Sequence, residues 1–378
     1  MAYIRKIVAI MIVTACALPA CNAQAPETDL YDFDVKTLSL GDGDKSFIAE
    51  DINGDQRPDL IVTEEAHNRI AVFLNDTRGG FERPAYHVAG DNPTAMASLD
   101  FNQDGHIDIA VGNHEAPTVS FLKGDGAGGF EPAHFSPVGI IAEPHAHMIR
   151  VADFNNDGHT DLIIDSRDRF GVFILSGQSD GLFDGPGQGV NVGGTPYLGF
   201  ALGDINDDGA MDIVTPNTDH VSVLLNRADG ALSFEQVSAI PSETPFATAL
   251  ADINGDGQID LIVGSGSQRK MNGVKVLLGD GQGHFGDPVS YPIAGGAKTI
   301  ATGDVNGDGV SDVLVTSWNA DIGLLTGGEQ RAWQRLPAGE IETPWSAVFA
   351  DFDGDGRDEI LVGDASSGLA NIYSIRVQ

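Results

Sequence analysis

The pattern D-x-[ND]-x-D-x-x-x-[DE] occurs seven times in this chain, at intervals of 47 to 53 residues. Its oxygen-bearing members are Asp51, Asn53, Asp55 and Asp59, then Asp100, Asn102, Asp104 and Asp108. Asp153, Asn155, Asp157 and Asp161 form the third set, and Asp204, Asn206, Asp208 and Asp212 the fourth. Asp252, Asn254, Asp256 and Asp260 follow, then Asp304, Asn306, Asp308 and Asp312, and finally Asp351, Asp353, Asp355 and Glu359. Four side-chain oxygens within nine residues suit a hard divalent cation, and position 7 can add a backbone carbonyl. Calcium accepts six to eight oxygens at about 2.3–2.6 Å, whereas magnesium prefers few protein ligands in a rigid octahedron. No soft ligand appears in the pattern, which argues against zinc or copper. We therefore expect about seven structural Ca²⁺ ions, one per loop. The loop is not an EF-hand, which has twelve residues between helices. Glycine at position 6 permits a sharp turn in six copies, but the first copy has Gln56 there and Pro58 at position 8. That site is expected to be the weakest.

The elements around the loops repeat as well. A short apolar stretch precedes each loop, as at Val348-Phe349-Ala350, and a β-rich run follows, as at Leu60-Ile61-Val62. A third run comes next, then a glycine-rich turn and an aromatic that opens a fourth run: Phe81, Phe130, Phe183, Phe234, Phe285 and Trp333. Four strands per unit and seven units predict an all-β fold, a seven-bladed β-propeller with four antiparallel strands per blade. Such a ring must close to remove its free edges. The last unit runs out after three strands, while Phe33 to Leu40 form a lone fourth-strand segment. Phe33 lies 48 residues before Phe81, in step with the other aromatics. That segment is expected to complete the blade of Asp351; the alternative is a frayed terminal strand.

Together with turns such as Gly281-Gln282-Gly283-His284-Phe285, the pattern resembles the FG-GAP or VCBS repeat family. The resemblance covers residues 31–378. It implies the propeller of integrin α-subunits and of many bacterial surface proteins, and it implies calcium. It does not fix an activity, because one ring can serve adhesion, glycan binding or catalysis.

Residues 1–20 read as a signal peptide, with basic Arg5 and Lys6 and an apolar stretch from Ile7 to Leu18. Leu18-Pro19-Ala20-Cys21 resembles a lipoprotein cleavage box, which would make Cys21 a lipid anchor and the first mature residue. Ordinary cleavage after Ala23 is the alternative. Residues 21–30 read as a linker and 31–378 as one domain. Asn22 after the cysteine, rather than Asp, points to the outer membrane or cell surface; the second route gives a periplasmic or secreted protein. Cys16 and Cys21 are the only cysteines, so the mature body has no disulfide.

The formal net charge is −34, with 22 of the 55 acids at the ligand positions. Such a surface repels nucleic acid and anionic membranes, so membrane contact is expected only through the anchor. Function is expected on the face opposite the loops, where residues vary among blades. The position six residues before each first Asp reads Lys45, Thr94, His147, Leu198, Phe246, Lys298 and Trp345, and by symmetry it should ring the channel mouth. His114, His145 and His147 could act as metal ligands or as acid and base, or be surface histidines. Trp318 and Trp345 could stack on a sugar or pack between blades. Lys298 and Arg269 could pair with an acidic ligand or be scattered charge. No catalytic motif stands out. The leading expectation is a monomeric, non-enzymatic binding module for a glycan or an envelope protein. The alternative is an enzyme, a polysaccharide lyase or hydrolase, on the same face.

Overall fold

A computed structural model describes residues 30–376 apart from 42–43, 77–79, 139–145, 166–170, 180, 184, 195–198, 267–272 and 329–330, and apart from the side chains of 44–45. The leader with Cys16 and Cys21, and also His145, Leu198 and Arg269, lie outside the described residues.

Seven four-stranded antiparallel sheets form the described structure, each in simple up-and-down order. It is the seven-bladed propeller that the repeat implied. The innermost strands Asp44–Glu50, Pro93–Leu99 and Ile149–Ala152 touch in succession. So do Ala201–Gly203, Pro245–Ala251, Ala297–Gly303 and Pro344–Ala350, and the last of these returns to Asp44–Glu50. Each innermost strand enters at one mouth of the axial channel and ends at its acidic loop.

The second strands explain their own sequences. Every residue of Asp59–Glu64 is buried. Leu60 and Val62 face Phe352 and Leu361 of the seventh blade, while Ile61 faces Met96 and Ile109 of the second. Alternate side chains thus feed two different cores, so the run reads as unbroken apolar sequence rather than alternation. The same arrangement gives seven apolar clusters, one between each pair of neighbouring blades.

Closure occurs where the spacing of Phe33 placed it. Strand Phe33–Ser39 pairs antiparallel with Leu369–Ile375, in register from Phe33 opposite Ile375 to Ser39 opposite Leu369. The Phe33 ring meets the edge of Tyr373 at 6.4 Å, and Leu40 is buried against the first blade. The amides of Leu30 and Tyr31 both donate to Gln334 Oε1 of the sixth blade at 3.1 Å.

The fourth strands differ from expectation in one respect. Phe81, Phe130, Phe183 and Phe285 form single bridges, and the strand proper starts several residues later. Pro84, Pro132, Pro186 and Pro288 follow these aromatics within three residues. Proline has no N–H for the ladder, so pairing breaks there. Phe234 has no proline close behind it, and its strand runs uninterrupted over Phe234–Pro241.

Candidate metal loops and the channel mouth

All seven acidic loops are described, and they share one hydrogen-bond scheme, except that Asn206 Oδ1 in the fourth accepts no bond. The loop around Asp252 is representative. The Gly257 amide donates to Asp252 Oδ2 at 2.8 Å, the Asp256 amide to Asn254 Oδ1 at 2.8 Å, and the Gln258 amide to Asp256 Oδ1 at 2.9 Å. These bonds fold the nine residues into a knot and turn the carboxylates inward. Two backbone positions carry the strain. Position 6 has positive φ in every copy, including Gln56 at 68°. Position 4 does too: Gly54, Gln103, Asn156, Asp207, Gly255, Gly307 and Gly354. The second requirement was not anticipated, because no single residue type marks it. Left-handed backbone costs a non-glycine residue roughly 1–2 kcal/mol. Gln56→Gly is therefore expected to raise stability by about 1 kcal/mol and to tighten cation binding at the first loop. Urea unfolding and calcium titration of this variant check both effects.

The ninth residue has a double role. Asp260 is buried and accepts from the Ile253 amide at 3.1 Å and from the Gly279 amide, at the end of the third strand, at 2.9 Å. Asp59, Asp108, Asp161, Asp212 and Asp312 repeat this, and Glu359 accepts from the Phe352 amide at 2.8 Å. Burial raises the pKa of those five aspartates to about 6 and that of Glu359 to about 7, with backbone hydrogen bonds opposing. A charge held there without a counter-ion is costly.

Among the described residues, the seventh loop is the one that gathers three carboxylates closely enough to share a cation. Asp351, Asp353 and Glu359 can each offer an oxygen, all within 4.8 Å of one another. Asn206 Oδ1 in the fourth loop is a buried acceptor with no hydrogen-bond partner. Position 2 ties each loop to the blade interfaces. Ile52, Phe154, Ile205, Ile253, Val305 and Phe352 belong to interblade clusters, and Phe101 packs against another. Loop conformation and blade packing are thus mechanically linked.

At the opposite mouth, Thr94, His147, Lys298 and Trp345 line one cavity of about 180 Å³, as the register argument required. Phe246, at the same register, instead packs on the Trp318 ring at 5.4 Å. Trp318 and Trp345 meet edge to face at 6.1 Å, and Lys298 Nζ lies 3.9 Å from the Trp345 ring centroid and 4.7 Å from that of Trp318. His114 and His147 touch edge to face at 5.0 Å. His147 Nδ1 lies 3.5 Å from Asp165 Oδ2, and His114 Nδ1 lies 2.8 Å from Glu115 Oε1. The mouth therefore brings the two indoles together and, in a separate group, the two described histidines.

One residue of this channel escaped the sequence reading. Arg150 stands three residues before the first Asp of its loop, where the other blades have Ile48, Ala97, Ala201, Ala249, Ala301 and Val348. All seven line the channel interior. Aligning the repeats by their loops would have exposed the exception.

Comparison with known proteins agrees with this architecture. The profile of the FG-GAP-like repeat matches residues 51–111, 100–164, 204–263 and 252–315, together more than half of the chain. Integrin alpha-PS3 of Drosophila melanogaster is 34% identical over 119 residues, a stretch covering 25% of this chain and 10% of the integrin. Among solved structures, one chain in the crystal structure of BBS1N in complex with ARL6DN matches with a TM-score of 0.63 and 14% identity, over 91% of this chain and 97% of that one. An Agrocybe aegerita lectin, solved for its recognition of non-reducing terminal N-acetylglucosamine, matches with a TM-score of 0.51 and 19% identity, over 87% and 88%. At these identities the structural likeness is one of fold.

Proposed function

The chain belongs to the FG-GAP-like repeat family, and from that premise we propose that it is a calcium-stabilised, extracytoplasmic binding module. It uses the mouth opposite its acidic loops to hold a glycan or a protein of the cell envelope. The observation that carries this reading is the division of labour between the two faces. One face repeats a single acidic loop seven times. The other gathers residues that no repeat requires, including Trp318, Trp345 and Lys298. Side chains relieved of scaffold duty and set at a concave mouth suit recognition. An extracytoplasmic location fits the leader and the integrin likeness. Lipidation at Cys21 would then tether the ring to a membrane while leaving its mouth free.

A glycan array probed with the mature chain in millimolar calcium tests the reading. The expected result is capture of a defined glycan class that is lost in Trp345→Ala while the melting temperature holds. Capture unaffected by that substitution, or no capture at all, would remove the glycan reading. A second reading, catalysis, draws on the His147–Asp165 and His114–Glu115 pairs. Turnover of an array-positive glycan, abolished in His147→Gln, would establish it.

A further inference from the structure

We propose that the channel mouth binds the oxyanion of an acidic sugar, with Arg150 and Lys298 as its cationic partners. The inference rests on the glycan-binding reading of this face and names the class of glycan.

The protein carries a formal net charge of −34, yet Arg150 and Lys298 line one cavity whose described lining contains no carboxylate. Low-dielectric walls lined by one sign of charge focus the field on a ligand of the opposite sign. Arg150 forms no ion pair with any described residue; its Nη1 donates only to the Ile149 carbonyl at 2.9 Å. Among the described residues, Asp165 beside His147 and Glu50 in the channel wall are both otherwise engaged. Asp165 sits behind His147 and accepts the His147 and Met148 amides through Oδ1, at 2.7 and 2.8 Å. Glu50 lies further along the channel and accepts from Ser98 Oγ at 2.7 Å.

Six blades place Ile, Ala or Val where the third places Arg150. An apolar residue is what the ring wants there, so the arginine is a departure that the scaffold does not explain. Enclosure by the ring lowers the Arg150 pKa, although channel water reaches the side chain. An arginine nevertheless stays charged in a protein. Arg150 has no carboxylate partner among the described residues, and a bound oxyanion would supply one. The guanidinium fork matches a carboxylate or a sulfate in two parallel hydrogen bonds.

Thr248 is 8% exposed, lines the same cavity, and its hydroxyl has no hydrogen-bond partner. Its oxygen is shielded from solvent, so a sugar hydroxyl or the oxyanion would satisfy it after a turn of the side chain about χ1. Trp345 supplies an aromatic wall of the kind on which apolar sugar faces pack.

Isothermal titration of the mature chain in calcium, using glucuronate, a sulfated glucose and plain glucose, tests this. Glucuronate or the sulfated sugar is expected to bind at least about tenfold more tightly than glucose, a difference of about 1.4 kcal/mol. Which of the two binds identifies the oxyanion. Arg150→Gln is expected to reduce that affinity by about tenfold or more with the melting temperature unchanged, and Lys298→Met to do likewise. Lys298 packs against two indoles, so its variant could misfold; Arg150→Gln then decides alone. Equal binding of glucose and glucuronate, an Arg150→Gln variant that binds normally, or no binding by any of the three sugars would overturn the inference. Glucose binding that is lost in Trp345→Ala would overturn it while leaving the broader glycan reading in place.

Discussion

Chelating calcium from the mature chain is expected to lower its melting temperature by on the order of 10–15 °C. The magnitude follows from mass action. Extracellular calcium modules bind with Kd of about 10⁻⁴–10⁻³ M. At a free calcium level about ten times Kd, a site that binds only the folded form contributes about 1.4 kcal/mol. Seven such sites give about 10 kcal/mol, comparable to the whole stability of an ordinary protein. The structure indicates why the effect should be global. Each loop carries an apolar residue at position 2 that packs at a blade interface, as Phe352 does against the first blade. Mutual repulsion in an empty loop would therefore strain an interface as well as a turn. Calorimetry with and without chelator, together with metal content by mass spectrometry, checks the expectation. About seven calcium ions per chain and a large shift would support the assignment. No calcium and no shift would reduce the loops to acidic turns.

The ring was legible because its parts repeat. One aromatic spacing predicted that Phe33–Ser39 would join Leu369–Ile375, and one register predicted that Thr94, His147, Lys298 and Trp345 would share a mouth. What escaped was whatever the repeat does not hold constant. Positive φ at position 4 is met by Gly, Gln, Asn and Asp alike, so no letter announces it. The late start of the fourth strands depended on Pro84, Pro132, Pro186 and Pro288, whose missing N–H breaks a ladder that the aromatic spacing alone does not interrupt. The contact between Trp318 and Trp345 joins residues of two blades, and no spacing rule measures a distance across blades. Arg150 was hidden by its isolation: a single charged residue in an apolar strand reads as noise until the blades are superposed.

Deleting residues 31–40 is expected to cost the chain its cooperative fold or most of its soluble yield. The segment supplies seven strand pairings to the last blade, from Phe33 opposite Ile375 to Ser39 opposite Leu369. Cross-strand pairs contribute roughly 0.2–1 kcal/mol each. Burial of Leu40, which is 3% exposed, adds about 1.5–3 kcal/mol. The sum rivals the net stability of an ordinary domain, about 5–15 kcal/mol. The loss is also qualitative. Without the segment, strand Leu369–Ile375 becomes a bare edge, and its centre from Ala370 to Tyr373 is buried apolar and polar surface in the closed ring. Such an edge invites pairing with another chain. In the intact ring the outermost position is held by a strand whose middle residues are exposed and include Asp34 and Lys36, with Arg376 Nη2 donating to Asp34 Oδ1 at 2.7 Å. Charge on an outer strand discourages further pairing, so the segment closes the ring and guards it at once. Thermal unfolding and light scattering of the deletion measure both effects. A synthetic peptide spanning the segment, added to the truncated chain, is expected to restore much of the lost stability. A truncated chain that stays monomeric and melts within about 2 °C of the parent, where 1 kcal/mol would already shift a chain this long by roughly 1–2 °C, would show that the three-stranded blade closes the ring unaided.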